Sequence, residues 1–173
     1  MSETDVDIFE IDGATFSLAD IGGIDLESVK EVRAFNLPEG IYHFGVEKAQ
    51  LTSRQNNEGV KKPIVAITVV VKGVKTLMDD EIDKESLVGR KHTEAFWITN
   101  PVEDIGRVKA LLVDTGFSAS GNLQEVLAQF EEHEFIAPIR HKPNPNDKDN
   151  PYANIMRNKV MSMEAYNAAM GAA

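Results

Sequence analysis

Cysteine does not occur in the 173 residues, which excludes disulfides, thiolate metal sites and cysteine nucleophiles and fits a reducing compartment. Long hydrophobic runs are also missing. The longest, Ile64 to Val71, is eight residues interrupted by Thr68, against the roughly 20 needed to cross a bilayer. Met1-Ser2-Glu3-Thr4-Asp5 has neither a basic n-region nor an apolar h-region, so a secretory signal is not expected and a cytoplasmic protein is. Basic residues are in the minority, 18 against 28 acids for a net charge of −10, and this argues at first against phosphate recognition. The deficit is uneven, however. Residues 1–40 hold ten acids against Lys30 and Arg33, a net of −8, whereas residues 41–173 carry a net of only −2. The acidic leader reads as a solvated tail or as a partner-binding or DNA-mimicking arm, and the balanced remainder can still carry a basic groove.

What is present is ordinary globular material, 42% apolar and 27% charged, enough for one domain with a core and appended segments. Residues 1–37 read as an acidic extension in which Ile8, Phe9, Ile11 and Phe16 could dock, and Asp25 caps a short helix through Val32. The domain proper spans 38–161 and opens at the turn Pro38-Glu39-Gly40. Ile41–Thr52 is the first strand, with Tyr42, Phe44 and Val46 on a core face. Ile64–Val71 is a central strand ended by Lys72-Gly73, and Gly89–Ile98 is the third. Asn100-Pro101-Val102-Glu103 and Asn122-Leu123-Gln124-Glu125 are capping signatures for two helices, the first stopped by Gly116. Glu134–His141 follows, and Pro138 favours an edge position for it. After the proline-rich loop from Lys142 to Pro151, Tyr152–Val160 is the last strand, and 162–173 is a small-residue tail that could be helical. Three strands, helices and two strands is the order of a mainly β, α+β fold. The specific form expected is a five-stranded OB-like Greek-key barrel with helices between strands three and four. A mixed sheet of different strand order would give the same string.

Signals for catalysis are thin. His43, His92, His133 and His141 lack the paired spacing of zinc hydrolases, although His43 and His92 could face each other across a sheet. The alternating Asp79, Glu81, Asp83 and Glu85 lack the glycine a calcium loop requires, with Lys84 in its place. Neither a nucleophile elbow nor a phosphate loop occurs, so no catalytic residue, metal or cofactor is expected.

Single-strand binding asks for less: cations along a groove and exposed rings on which bases stack. Trp97, the only tryptophan, alternates with Phe96, so an inward Phe96 turns Trp97 outward. Tyr152, after the proline loop, is the second candidate ring. The candidate cations sit near loops: Arg54, Lys61 and Lys62; Arg90 and Lys91; Arg140 and Lys142; Arg157 and Lys159.

Residues from about 38 to 160 resemble a family of phage replication and recombination proteins, the OB-fold single-stranded-DNA-binding proteins. The resemblance lies in Pro38-Glu39-Gly40-Ile41-Tyr42, Val46-Glu47-Lys48-Ala49, Ile67-Thr68-Val69-Val70-Val71-Lys72-Gly73 and Leu87-Val88-Gly89-Arg90-Lys91. It continues through Phe96-Trp97-Ile98, Ile105-Gly106-Arg107-Val108-Lys109-Ala110-Leu111-Leu112, Gly116-Phe117 and Asn154-Ile155. It implies a non-catalytic protein that coats single-stranded DNA in the host cytoplasm, without a cofactor or a membrane. The alternative is a virion structural or assembly protein on the same barrel. Many such binders end in an acidic tail, whereas this chain ends Ala168-Ala169-Met170-Gly171-Ala172-Ala173. Recruitment of replication or recombination proteins is therefore expected of the acidic N-terminal extension, and an oligomer is compatible with this reading.

Overall fold

The computed structural model describes residues 8–11, 13–28 and 36–171, and the chain divides into two compact units after Phe35. In the first unit Ile8–Ile11 (β1) pairs antiparallel with Ala14–Ser17 (β2) through a turn at Gly13, whose φ of 77° suits glycine. Leu18–Gly22 (α1) starts at a capping box, with the Asp20 amide donating to Ser17 Oγ and the Ser17 amide to the Asp20 carboxylate. None of the side chains described between 8 and 28 is buried. The expected Asp25 helix begins as a turn, where the Asp25 carboxylate accepts the Glu27 amide at 3.0 Å. Its remainder, and the side chains of Phe9 and Ile11, lie outside the described residues.

The second unit is an α+β fold around one antiparallel sheet. Gly40–Gln55 (β3) and Lys61–Leu77 (β4) form a long hairpin, and the Asn56 side chain holds its turn by accepting the Glu58 and Val60 amides. Lys91–Trp97 (β5) pairs on the far side of β4. Pro101–Asp114 (α2) is capped by Asn100, and Gly116, at φ 82°, closes it with the Phe117 amide donating to the Leu112 carbonyl. Leu123–Phe130 (α3) leads into Glu134–Lys142 (β6), which pairs with β3. Tyr152–Ile155 (β7) and Met161–Ser162 (β8) both pair with β6, and Met163–Gly171 (α4) ends the described chain as the helix anticipated for the tail. Tyr42 stacks on Phe44, and Phe44 meets Phe135, inside a core completed by Val65, Ile67, Phe96, Val108, Leu112 and Phe130.

Several expectations are corrected. The sheet has six strands, in the order β5-β4-β3-β6-β7 with β8 beside β6, and it is open. The backbone of β5 does not pair with that of β7 among the described residues; at that seam the Glu94 carboxylate accepts the Ile155 amide and Arg157 donates to the Ala95 carbonyl. Lys72-Gly73 does not end the second strand. One extra residue there makes a bulge opposite His43 and Phe44, and the ladder runs on to Leu77. Pro138 lies in a central strand, not at an edge. On the flank away from β3, β6 is shared between β7 at 139–142 and β8 at 135–136. Pro138 falls in the gap between them, so its missing N–H breaks no ladder bond. The strand expected from Tyr152 to Val160 stops at Ile155, and Arg157–Lys159 form a 3-10 turn. Among the described residues, no helix is long and apolar enough to cross a membrane.

Candidate functional site

Glu94 occupies the seam between β5 and β7. It shares the inward parity of Phe96 and lies across the ladder from buried Ile67. Its Oε1 accepts the Ile155 amide at 2.8 Å and lies 2.7 Å from His92 Nε2. Its Oε2 accepts Arg157 Nε at 3.2 Å and Nη2 at 3.0 Å, and Nη2 also donates to the Ala95 carbonyl. Burial alone would push the Glu94 pKa up. The His92 hydrogen bond, the Ile155 amide and the charges of His92 and Arg157 outweigh that penalty and hold it below the ordinary glutamate value. A carboxylate thus bridges the two strand edges, and the Arg157 guanidinium lies 3.8 Å over the Phe96 ring centroid.

Beyond this clasp is a trough. Glu94, Arg140, Lys142, Asn154, Met156, Arg157 and Asn158 line an open cleft of about 490 Å³. A smaller hollow of about 190 Å³ shares Arg140 and Met156 with it and extends to Lys159 and Met78. Tyr152 is 50% exposed and stands directly across the ladder from Lys142, as Asn154 does from Arg140, so all four project from one face. Among the described residues no carboxylate lies within ion-pair distance of Arg140, Lys142 or Lys159. Glu94, the one acid in the cleft, is matched by Arg157. In a chain of net charge −10 this trough is locally positive.

The second group forms on the outer face of β4–β5. Phe96 is 3% exposed and Trp97 39%, the opposite fates that strand alternation requires. Trp97 pairs with Ile64, and Lys62, two residues along, lies opposite Arg54. Register therefore places Trp97, Lys62 and Arg54 on one face, while Lys61, opposite Gln55, falls on the other. Between Trp97 and Lys91 that face carries only Ala66, Ala95, Thr68 and Thr93, a shallow strip in which the two threonine hydroxyls bond at 3.0 Å.

Of the eleven sequence-derived candidates, the structure groups Arg140, Lys142, Tyr152, Arg157 and Lys159 in and beside the trough and Trp97, Arg54, Lys61 and Lys62 at the hairpin arm. Arg90 and Lys91 join neither: Lys91 pairs with Glu47 at 2.7 Å, at the opposite end of β5 from Trp97. Sequence reasoning missed Glu94, Asn154 and Asn158. The available signal for Glu94 was a carboxylate at the inward parity of Phe96; the two asparagines carried none. His43 and His92 have different carboxylates, with Glu134 2.9 Å from His43 Nε2, although not in hydrogen-bond alignment. His133 and His141 donate from Nε2 to the Thr115 and Leu37 carbonyls, both at 2.8 Å. The carboxylates of Asp79 and Asp83 accept amides of their own loop. Among the described residues no group of three or more His, Asp or Glu side chains is placed to hold a metal ion. No family model matches the chain, and no curated protein matches it.

Proposed function

We propose that this protein is a non-catalytic, cytoplasmic binder of single-stranded DNA, acting in phage-type replication or recombination, and that its sheet is an OB-type barrel clasped by side chains along one seam. The observation that carries the reading is the pairing of an exposed ring with cations on two surfaces of an otherwise acidic protein. Trp97 stands beside Arg54 and Lys62, and Tyr152 beside Lys142 and Arg140. The strand order supports the fold part, since β5-β4-β3-β6-β7 returns its last strand to the edge of β5, where Glu94 meets Ile155. In that frame the Trp97 face, the 56–60 turn and the loop between β6 and β7 are the surfaces on which OB folds take oligonucleotides.

A strand crossing both surfaces would set its phosphates against the unpaired cations and its bases on the rings. Contact with three to five phosphates gives a slope of log affinity against log salt of about −2 to −3.5. Titration with dT oligomers at two salt concentrations, beside duplex of equal length, should give that slope, quench the Trp97 emission and favour the single strand. A flat salt response, or equal affinity for duplex, would overturn the reading. The assembly-protein alternative draws on the first unit, where Ile8, Leu18, Ile21, Ile24 and Leu26 are exposed and could be covered by neighbouring subunits.

A further inference from the structure

We propose that the seam cleft is a nucleobase pocket, with Arg157 as a stacking platform and Asn154 and Asn158 as readers of the base edge. The inference rests on the single-strand reading and goes further in assigning the cleft a flat heteroaromatic ring in place of another phosphate.

Arg157 differs from the other cations of the trough because its charge is already matched. Of the five N–H groups of a guanidinium, three here are engaged by Glu94 Oε2 and the Ala95 carbonyl. A guanidinium so compensated releases few counterions on meeting a phosphate, so it adds little to salt-dependent affinity. What it retains is its plane. One face rests on Phe96, 3.8 Å from the ring centroid. The side chain is nevertheless 42% exposed and lines the cleft, which leaves the other face open to it. Held in plane by two acceptors and backed by an aromatic ring, this face is a rigid platform of the kind on which unpaired bases stack.

The remaining lining suits a base. The amides of Asn154 and Asn158 have no hydrogen-bond partner among the described residues, and an amide presents both a donor and an acceptor to a base edge. Arg140 and Lys142 stand at the same cleft, where the attached phosphate would find unpaired charge. The volume of about 490 Å³ falls within the roughly 300–1,000 Å³ typical of small-molecule sites. The pocket would therefore take one nucleotide, base on Arg157 and phosphate toward Arg140 and Lys142. It would also give the protein a preference among bases that the shallow Trp97 strip does not supply.

Calorimetric titration of the full chain with dAMP, dCMP, dGMP and dTMP, with deoxyribose 5-phosphate as the ring-free control, tests this. At least one mononucleotide should bind tenfold or more tightly than the sugar phosphate. Arg157→Lys keeps a positive charge beside Glu94 but loses the plane, and should lower oligomer affinity roughly tenfold with an unchanged salt slope, as loss of one stacked base does. Arg140→Gln should instead flatten the slope by about 0.7. Should Arg157→Lys fail to fold, Asn158→Ala decides, since the pocket requires it to change the order of preference among the four mononucleotides. Mononucleotides binding no better than the sugar phosphate, or a folded Arg157→Lys with wild-type oligomer affinity, would overturn the pocket while leaving single-strand binding intact. Mononucleotide binding without oligomer binding would keep the pocket and overturn the single-strand reading.

Discussion

The hairpin arm and the seam trough hold the same ingredients, an exposed ring and several cations, but the trough adds one cation, Arg157, whose charge is already matched. On the arm Arg54 and Lys62 stand directly across a ladder from each other, with no carboxylate within ion-pair distance among the described residues, an arrangement that costs a sheet some stability. In the trough Arg157 is fixed by a buried carboxylate, a carbonyl and an aromatic ring. Uncompensated charge gives long-range attraction and salt dependence, whereas compensated charge gives up attraction for a fixed geometry. If the protein binds single strands as proposed, the arm and the unpaired trough cations would attract the strand and Arg157 would discriminate within it.

The largest expected effect removes what the two surfaces share. Phe96 backs Arg157 and anchors β5 next to Trp97, so Phe96→Ala should cost about 3–5 kcal/mol in urea denaturation and impair both surfaces. An effect below 1 kcal/mol would show that the core does not depend on this ring. Glu94→Ala should damage the trough alone. It leaves the buried Ile155 amide unpaired, at a cost of about 1–3 kcal/mol, while half-exposed Arg157 can rehydrate.

The same carboxylate sets an acid limit. Because the folded pKa of Glu94 is depressed, its contribution is complete above the unfolded value near 4.5 and fades as pH falls through the folded one. Wild type should therefore lose stability more steeply than Glu94→Gln on acidification below pH 4.5, and parallel curves would contradict the clasp. Trp97→Ala should spare the fold and reduce DNA affinity by about 1–3 kcal/mol, measured by anisotropy with labelled dT oligomers. If that variant is destabilised but binds normally once folded, capture does not run through the arm. Smallest of all, Lys62→Gln should relieve the opposition with Arg54 and leave stability unchanged or a few tenths of a kcal/mol higher. The salt slope should become shallower by about 0.7. An unchanged slope would take Lys62 out of the interface.

Much of this was legible in the residues, and the gaps have a pattern. Asn100-Pro101 and Asn122 declare helix starts because capping is local, and Gly116 declares a stop for the same reason. The parity of Phe96 and Trp97 needs only neighbouring positions. What escaped depends on residues far apart in the chain. Arg157 looks like any surface cation until Glu94 is brought beside it, sixty-three positions away. Pro138 looks like an edge marker until β7 and β8 prove to leave a gap at its nitrogen. The seam depends on residues some sixty positions apart, and there side chains clasp two strands that do not pair by backbone.

The distance along the chain between β3 and β6 also bears on how the molecule is made. β3, β4 and β5 are successive antiparallel neighbours and can zip together through short-range contacts, so the arm and the Trp97 face can form early. β6 must then find β3 across the intervening β4, β5, α2 and α3, with Gly45 meeting Glu134, and only afterwards can the turn after β7 bring Arg157 to Glu94. A chain still emerging from the ribosome would own the Trp97 face before the seam trough. The open edges of β3 and β5 would meanwhile be exposed to strand pairing with other chains, a hazard that β6 removes at β3 and that the clasp reduces at β5.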